Sequence, residues 1–131
     1  RMAMCRLAFA PFKAIELLDI ERELGGTSRT LRTLESLRDT HSDVSFRLLI
    51  GADVLATTDR WHRWEAVSKL ASPLIVGREG YPSPKGCPIA IPNVSSTDVR
   101  KAIEGDEGVA GLVPGMVAAY IEARGLYAGP G

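Results

Sequence analysis

Apolar and polar positions change period several times along the chain, and each change marks a predicted element. Residues 1–9 carry apolar side chains at Met2, Cys5 and Phe9, and Pro11 ends this helical run. No capping residue precedes it, so the pattern predicts that further chain comes before this helix. Residues 14–20 mix Ile and Leu with acids and predict a short strand, although the apolar positions do not alternate. Gly25 and Gly26 make a turn. Ser28 then reads as the N-cap of a helix from Arg29 to about Thr40. Leu31, Leu34 and Leu37 form its stripe, with Arg32, Glu35 and Arg38 on the wet side.

Residues 46–50 are a short apolar run closed by Gly51, Ala52 and Asp53. Such runs predict strands buried on both faces of a parallel sheet. A short helix follows at residues 64–70, then a second buried strand from residue 73, with Arg78 leaving its carboxyl end. Residues 81–92 hold four of the eight prolines and predict an extended loop with one short strand at 89–91. Val94 reads as the end of a strand that runs straight into a helix from Thr97 to Gly105. There Ser95 and Asp98 have the spacing of a capping box. Pro114 fits the first position of the last helix, whose buried face is Val113, Met116, Val117, Tyr120 and Ile121. Gly125 followed by Leu126 predicts a Schellman ending.

Strands alternating with helices imply an α/β fold: a Rossmann-like parallel sheet with flanking helices, in a single domain spanning residues 1–131. On that topology Asp53, Arg78 and the group Ser96, Thr97 and Arg100 all fall at strand carboxyl ends, where open α/β sheets bind ligands.

Composition narrows the partners. Sixteen basic residues balance sixteen acidic ones, so nothing favours broad binding to nucleic acid or to a membrane, and an anion site has to be local. The two cysteines, Cys5 and Cys87, lack metal-type spacing and read as free thiols of a reducing, cytoplasmic compartment. No metal cage and no nucleophilic Ser or Cys motif is evident. A homo-oligomer is compatible with the sequence but not required by it.

Several residues carry candidate chemistry. Ser96 and Arg100 are four apart and Thr97 and Arg100 three apart, so two hydroxyls and a guanidinium share one side of a helix N-terminus. Free N–H groups and the helix dipole favour an anion there, making a phosphate seat; an ordinary capped helix with a solvated Arg is the alternative. Asp53 can accept two hydrogen bonds from a ribose diol, with Gly51 admitting a ligand close to the backbone, or it can cap the turn. Arg78 either reaches a phosphate or pairs with an acid. Trp61 is a packing residue or a stacking plate for a flat, electron-poor ring; the packing role falls to Trp64. His62 has no partner motif for catalysis, and His41 lies in a polar turn.

Five stretches then occur in one fixed order: FRLLIGAD (46–53), RWHRW (60–64), LIVGREG (74–80), VSSTDVR (94–100) and VPGMVAAYIEARGLY (113–127). This series resembles the bacterial nicotinate-nucleotide adenylyltransferases of the nucleotidyltransferase superfamily, over essentially the whole chain from Arg1 to Tyr127. The resemblance implies adenylyl transfer from ATP to nicotinate mononucleotide in NAD biosynthesis, with Mg²⁺ carried on the phosphates. It implies that Gly51 and Asp53 meet the adenosine ribose. It places Trp61 under the pyridine ring, and the main-chain amides of Thr30 and His62 on the nicotinate carboxylate. It assigns Ser96, Thr97, Arg100 and Arg78 to phosphates. A related enzyme using nicotinamide mononucleotide, or a non-catalytic nucleotide-binding fragment, is the alternative.

The family's HxGH loop, its first strands and their phosphate-binding Lys have no counterpart in these residues. The resemblance therefore implies the C-terminal portion of the family fold, with its first strands missing and apolar surface exposed in consequence. Arg29 stands where many members carry an aromatic residue.

Overall fold

The computed structural model describes residues 1–27, 29–85, 87 and 89–128. By contacts the chain forms two compact units, Ile20–Asn93 and Arg1–Asp19 with Val94–Gly131.

The unit Ile20–Asn93 holds a three-stranded parallel sheet in the order β1-β2-β3 (Leu49–Gly51, Leu74–Arg78, Ala90–Ile91). Its helices are α2 (Ile20–Leu24), α3 (Thr30–Thr40), α4 (Ala52–Leu55) and α5 (Trp64–Leu70), with a 3-10 turn at Thr58–Arg60. A parallel pair joined through helices is the βαβ arrangement expected of alternating strand and helix patterns. Leu31 and Leu34 of α3 bury against Val67 of α5 and Ala71, and Phe46 and Leu48 close over this core. The predicted stripe of α3 is thus the packed one, with Arg32, Glu35 and Arg38 exposed. The proposed cap Ser28 lies outside the described residues. Gly25 and Gly26 both take positive φ, which glycine adopts without penalty.

β1 is shorter than its apolar run and is covered on one face only. Ile50 is 6% exposed, whereas Leu49 is 60% exposed and its register partner Leu74 is 41% exposed. The expectation of strands buried on both faces is corrected here: successive side chains point to opposite faces, and Leu49 and Leu74 share the open one. On the far side of the sheet, Gly77 lets β3 approach. A β-carbon there would lie 2.8 Å from the Ile89 carbonyl oxygen, the acceptor to which the Gly77 N–H donates at 2.7 Å.

The unit Arg1–Asp19 with Val94–Gly131 is helical: α1 (Met2–Phe9), α6 (Ser96–Glu104) and α7 (Gly115–Ala123). Val99, Val117 and Ile121 form its core, with Met4, Leu7, Val94 and Ile103 packed around them. Residues 14–19 are not a strand. Ile15 and Leu18 are 44% and 48% exposed, and with no alternating face to bury, the segment runs as irregular chain until α2 begins at Ile20. Nor does Val94 end a strand; it is extended chain packed into the helical core, and β3 has already stopped at Ile91. Pro114 is the N-cap of α7 rather than its first residue, because its ψ of 144° is not helical. Met116 is 56% exposed and drops out of the predicted buried face of α7. The Schellman ending is present: Gly125 has φ 56°, its N–H donates to Glu122, and the Leu126 N–H donates to Ile121.

Candidate nucleotide-binding site

At the carboxyl end of β1 the chain passes from Gly51 into α4, and Asp53 falls in the first turn of that short helix. Arg78 is the last residue of the neighbouring strand β2. Strand ends therefore bring the two side chains together, and the Arg78 guanidinium donates to Asp53 Oδ2 at 3.1 Å. A second arm, Arg78 Nε, donates to Asn93 Oδ1 at 3.1 Å. The acid-pairing alternative for Arg78 is the one found. Asn93 carries no motif or periodic signal, and only the fold places it against a side chain 15 residues away.

The other carboxylate oxygen, Asp53 Oδ1, is buried and accepts no hydrogen bond. An unsatisfied buried carboxylate oxygen is costly, on the order of 1–3 kcal/mol, and calls for a functional or structural reason. It lies over residue 51, where any β-carbon would collide with it. Gly51 thus makes room for the Asp53 carboxylate itself, a tighter reason for glycine than ligand approach.

In the same unit, Trp61 follows the 3-10 turn and Trp64 opens α5. Their rings meet edge to face, with centroids 5.5 Å apart and planes at 81°. Trp64 packs on the α3/α5 core, as predicted, whereas the half-buried Trp61 lines an open cleft of about 670 Å³ with Asp59, Arg63, Trp64, Glu65 and Lys69. His62 is exposed in the intervening turn, and neither it nor Thr30 lines that cleft. Thr30 is the first residue of α3, where backbone N–H groups have no intrahelical partner.

In the helical unit, the capping box at the start of α6 is complete. The Asp98 N–H donates to Ser95 Oγ at 3.2 Å, and the Ser95 N–H donates to Asp98 Oδ2 at 2.7 Å. Arg100 donates to Thr97 Oγ1 at 3.2 Å, so the predicted pairing of hydroxyl and guanidinium along the helix is present. Ser96 and Arg100 rim an apolar cavity of about 300 Å³ floored by Val99, Val113 and Val117. Among the described residues, no group of three or more His, Cys, Asp or Glu side chains could hold a metal ion, and no helix is long and apolar enough to cross a membrane.

A parallel α/β sheet carrying a polar pair at its strand carboxyl ends defines a Rossmann-like protein. Known proteins narrow this class. The chain is 42% identical over 132 residues to a probable nicotinate-nucleotide adenylyltransferase of Anaeromyxobacter sp. (strain K), covering 98% of this chain and 70% of that protein. It is 32% identical to one of Myxococcus xanthus (strain DK1622), covering 97% of this chain and 67% of that protein. The chain belongs to the nicotinate-nucleotide adenylyltransferase family of enzymes. Among solved structures, the Plasmodium falciparum nicotinic acid mononucleotide adenylyltransferase complexed with APC shares its fold, with a TM-score of 0.69 at 18% identity. That match covers 86% of this chain and 64% of the Plasmodium chain. No family model matches the chain.

Proposed function

We propose that this chain holds both substrates of nicotinate-nucleotide adenylyl transfer, acting as one nucleotidyltransferase-like domain in the cytoplasm. The observation that carries this reading, within a chain of this family, is the spare acceptor of Asp53 at the carboxyl end of β1. A swing of the Asp53 side chain, followed by the long Arg78 side chain paired with it, brings that oxygen to an adenosine ribose hydroxyl. The hydroxyl donates the hydrogen bond that Asp53 lacks. Arg78 is then a group that orients the carboxylate as well as a cation facing phosphate.

Trp61 stacks on the pyridine ring. Stacking of this kind is worth roughly 1–3 kcal/mol by analogy with base stacking. The main-chain amides of Thr30 and His62 donate to the nicotinate carboxylate. A carboxamide would turn an N–H group toward one of these donors, so the acid is preferred over the amide. Ser96, Thr97 and Arg100 hold the β- and γ-phosphates through two hydroxyls, a guanidinium and the amides at the start of α6.

In the reaction, a phosphate oxygen of nicotinate mononucleotide attacks the α-phosphorus of ATP. A new P–O bond forms, the bond to the β-phosphate oxygen breaks, and pyrophosphate leaves with the electron pair. Such a transfer needs alignment and charge neutralisation rather than a protein nucleophile. The described side chains form no cage for Mg²⁺, so the ion belongs to this proposal only as a companion of the ATP phosphates.

The test is to measure binding of each substrate and release of pyrophosphate by the chain, with nicotinate and nicotinamide mononucleotides compared. Binding with pyrophosphate release, faster for the acid, is the expected result. Binding of both nucleotides without release leaves a nucleotide-binding fragment. Absence of binding to either overturns the proposal.

A further inference from the structure

Trp61 sits in a turn, outside any helix or strand and outside both hydrophobic cores. A stacking plate works only if its plane is set before the ligand arrives; otherwise binding has to pay for ordering the ring. The structure supplies one aromatic partner for it, Trp64, which is itself packed against the α3/α5 core. The link between them is short and constrained. Arg63 takes a left-handed conformation, φ 55° and ψ 49°, which side-chain-bearing residues rarely adopt. Its carbonyl accepts the N–H groups of Ala66 and Val67, so this turn is locked to the first turn of α5. The left-handed residue redirects the chain between residues 61 and 64, so that the two rings meet nearly perpendicular rather than diverging.

We infer that Trp64 is a positioning residue: it transmits the rigidity of the α3/α5 core to Trp61 and presets the plane on which a flat, electron-poor ring stacks. This deepens the reading of Trp61 as the mononucleotide's stacking plate and rests on it. Edge-to-face contact fixes a ring's tilt because the positive edge of one ring seeks the negative face of the other. A perpendicular partner also leaves the plate free to take a parallel third ring, since Trp64 braces it without competing for the same stacking geometry. Trp64 acts on the mononucleotide only through Trp61, so its loss should weaken that substrate alone.

The chain has two tryptophans, so replacing Trp64 leaves Trp61 as the sole indole reporter. In Trp64→Phe, which keeps an aromatic edge, the fluorescence anisotropy of ligand-free Trp61 stays high and nicotinate mononucleotide binds as in the parent. In Trp64→Leu, which keeps apolar packing without an aromatic edge, the anisotropy falls. Mononucleotide binding then weakens about 3- to 10-fold, the range of an aromatic pair's contribution, while ATP binding is unchanged. Leu7→Ala serves as the comparison, because it loosens the separate core of the helical unit, to which neither tryptophan belongs. It lowers Tm without altering mononucleotide affinity. Unchanged anisotropy in Trp64→Leu overturns the inference, as does an equal loss of affinity for both nucleotides. Trp61→Leu separates the two claims. If it binds the mononucleotide as tightly as the parent, the stacking reading itself fails, and the ligand-free anisotropy still decides whether Trp64 braces Trp61.

Discussion

Asp53 shows how a single side chain can be recognised as functional on physical grounds. One oxygen is paired with Arg78 and the other is buried without a donor, a state that folding alone has no reason to favour. Replacing Asp53 with Ala should weaken ATP binding about 10- to 100-fold, since a hydrogen bond to a charged group is worth about 1.5–3 kcal/mol. Titration calorimetry with ATP and with the mononucleotide checks it, the second ligand being nearly unaffected. Gly51→Ala should have the same selectivity, because its new methyl displaces the carboxylate oxygen. Trp61→Ala reverses the pattern: nicotinate mononucleotide is weakened far more than ATP. Equal losses for the two ligands would remove Trp61 from the mononucleotide site.

At the scale of the element, two features carry measurable stability. The capping box of α6 satisfies N–H groups that the helix cannot satisfy itself. Ser95→Ala should therefore cost about 1 kcal/mol, within a range of about 0.5–2, read as a lower urea midpoint with an unchanged slope. In the sheet, Gly77→Ala drives a methyl against the backbone of the β2–β3 pairing. The neighbour is a carbonyl held in the ladder, so it cannot swing aside, and the cost is about 1–3 kcal/mol. The cap was legible for the right reason, since Ser-x-x-Asp spacing marks it; the apolar run of β2 marked a strand, but the burial on both faces expected of it is absent, with Leu74 41% exposed. The predicted strand at residues 14–20 failed because mixed composition without alternation has no face to bury, and Ile15 and Leu18 remain exposed.

For the whole molecule, ligand linkage gives the broadest test. A ligand present at 100 times its Kd stabilises the folded state by about 2.7 kcal/mol, so ATP and the mononucleotide should each raise Tm. All of the mononucleotide's proposed contacts, Thr30, Trp61 and His62, lie within the unit Ile20–Asn93. Hydrogen exchange should accordingly slow at the N-terminal turns of α3 and α5 on adding it. No change in Tm or in exchange with either nucleotide would leave a purely structural α/β domain.

What the sequence determined by itself is local in origin: helix stripes and caps, the glycine endings, and the alternation of strand with helix that makes the sheet parallel. The order of its motifs also led to the family. These signals live within a few residues, where backbone sterics, hydrogen-bonding reach and helical or strand period decide the outcome. Tertiary structure alone decided which candidates meet. It set Arg78 on Asp53 and Asn93, left the other Asp53 carboxylate oxygen without a donor, and covered one face of β1 while leaving Leu49 open. Those facts depend on contacts between residues far apart in the chain and on which surfaces find a partner, and no local pattern encodes either.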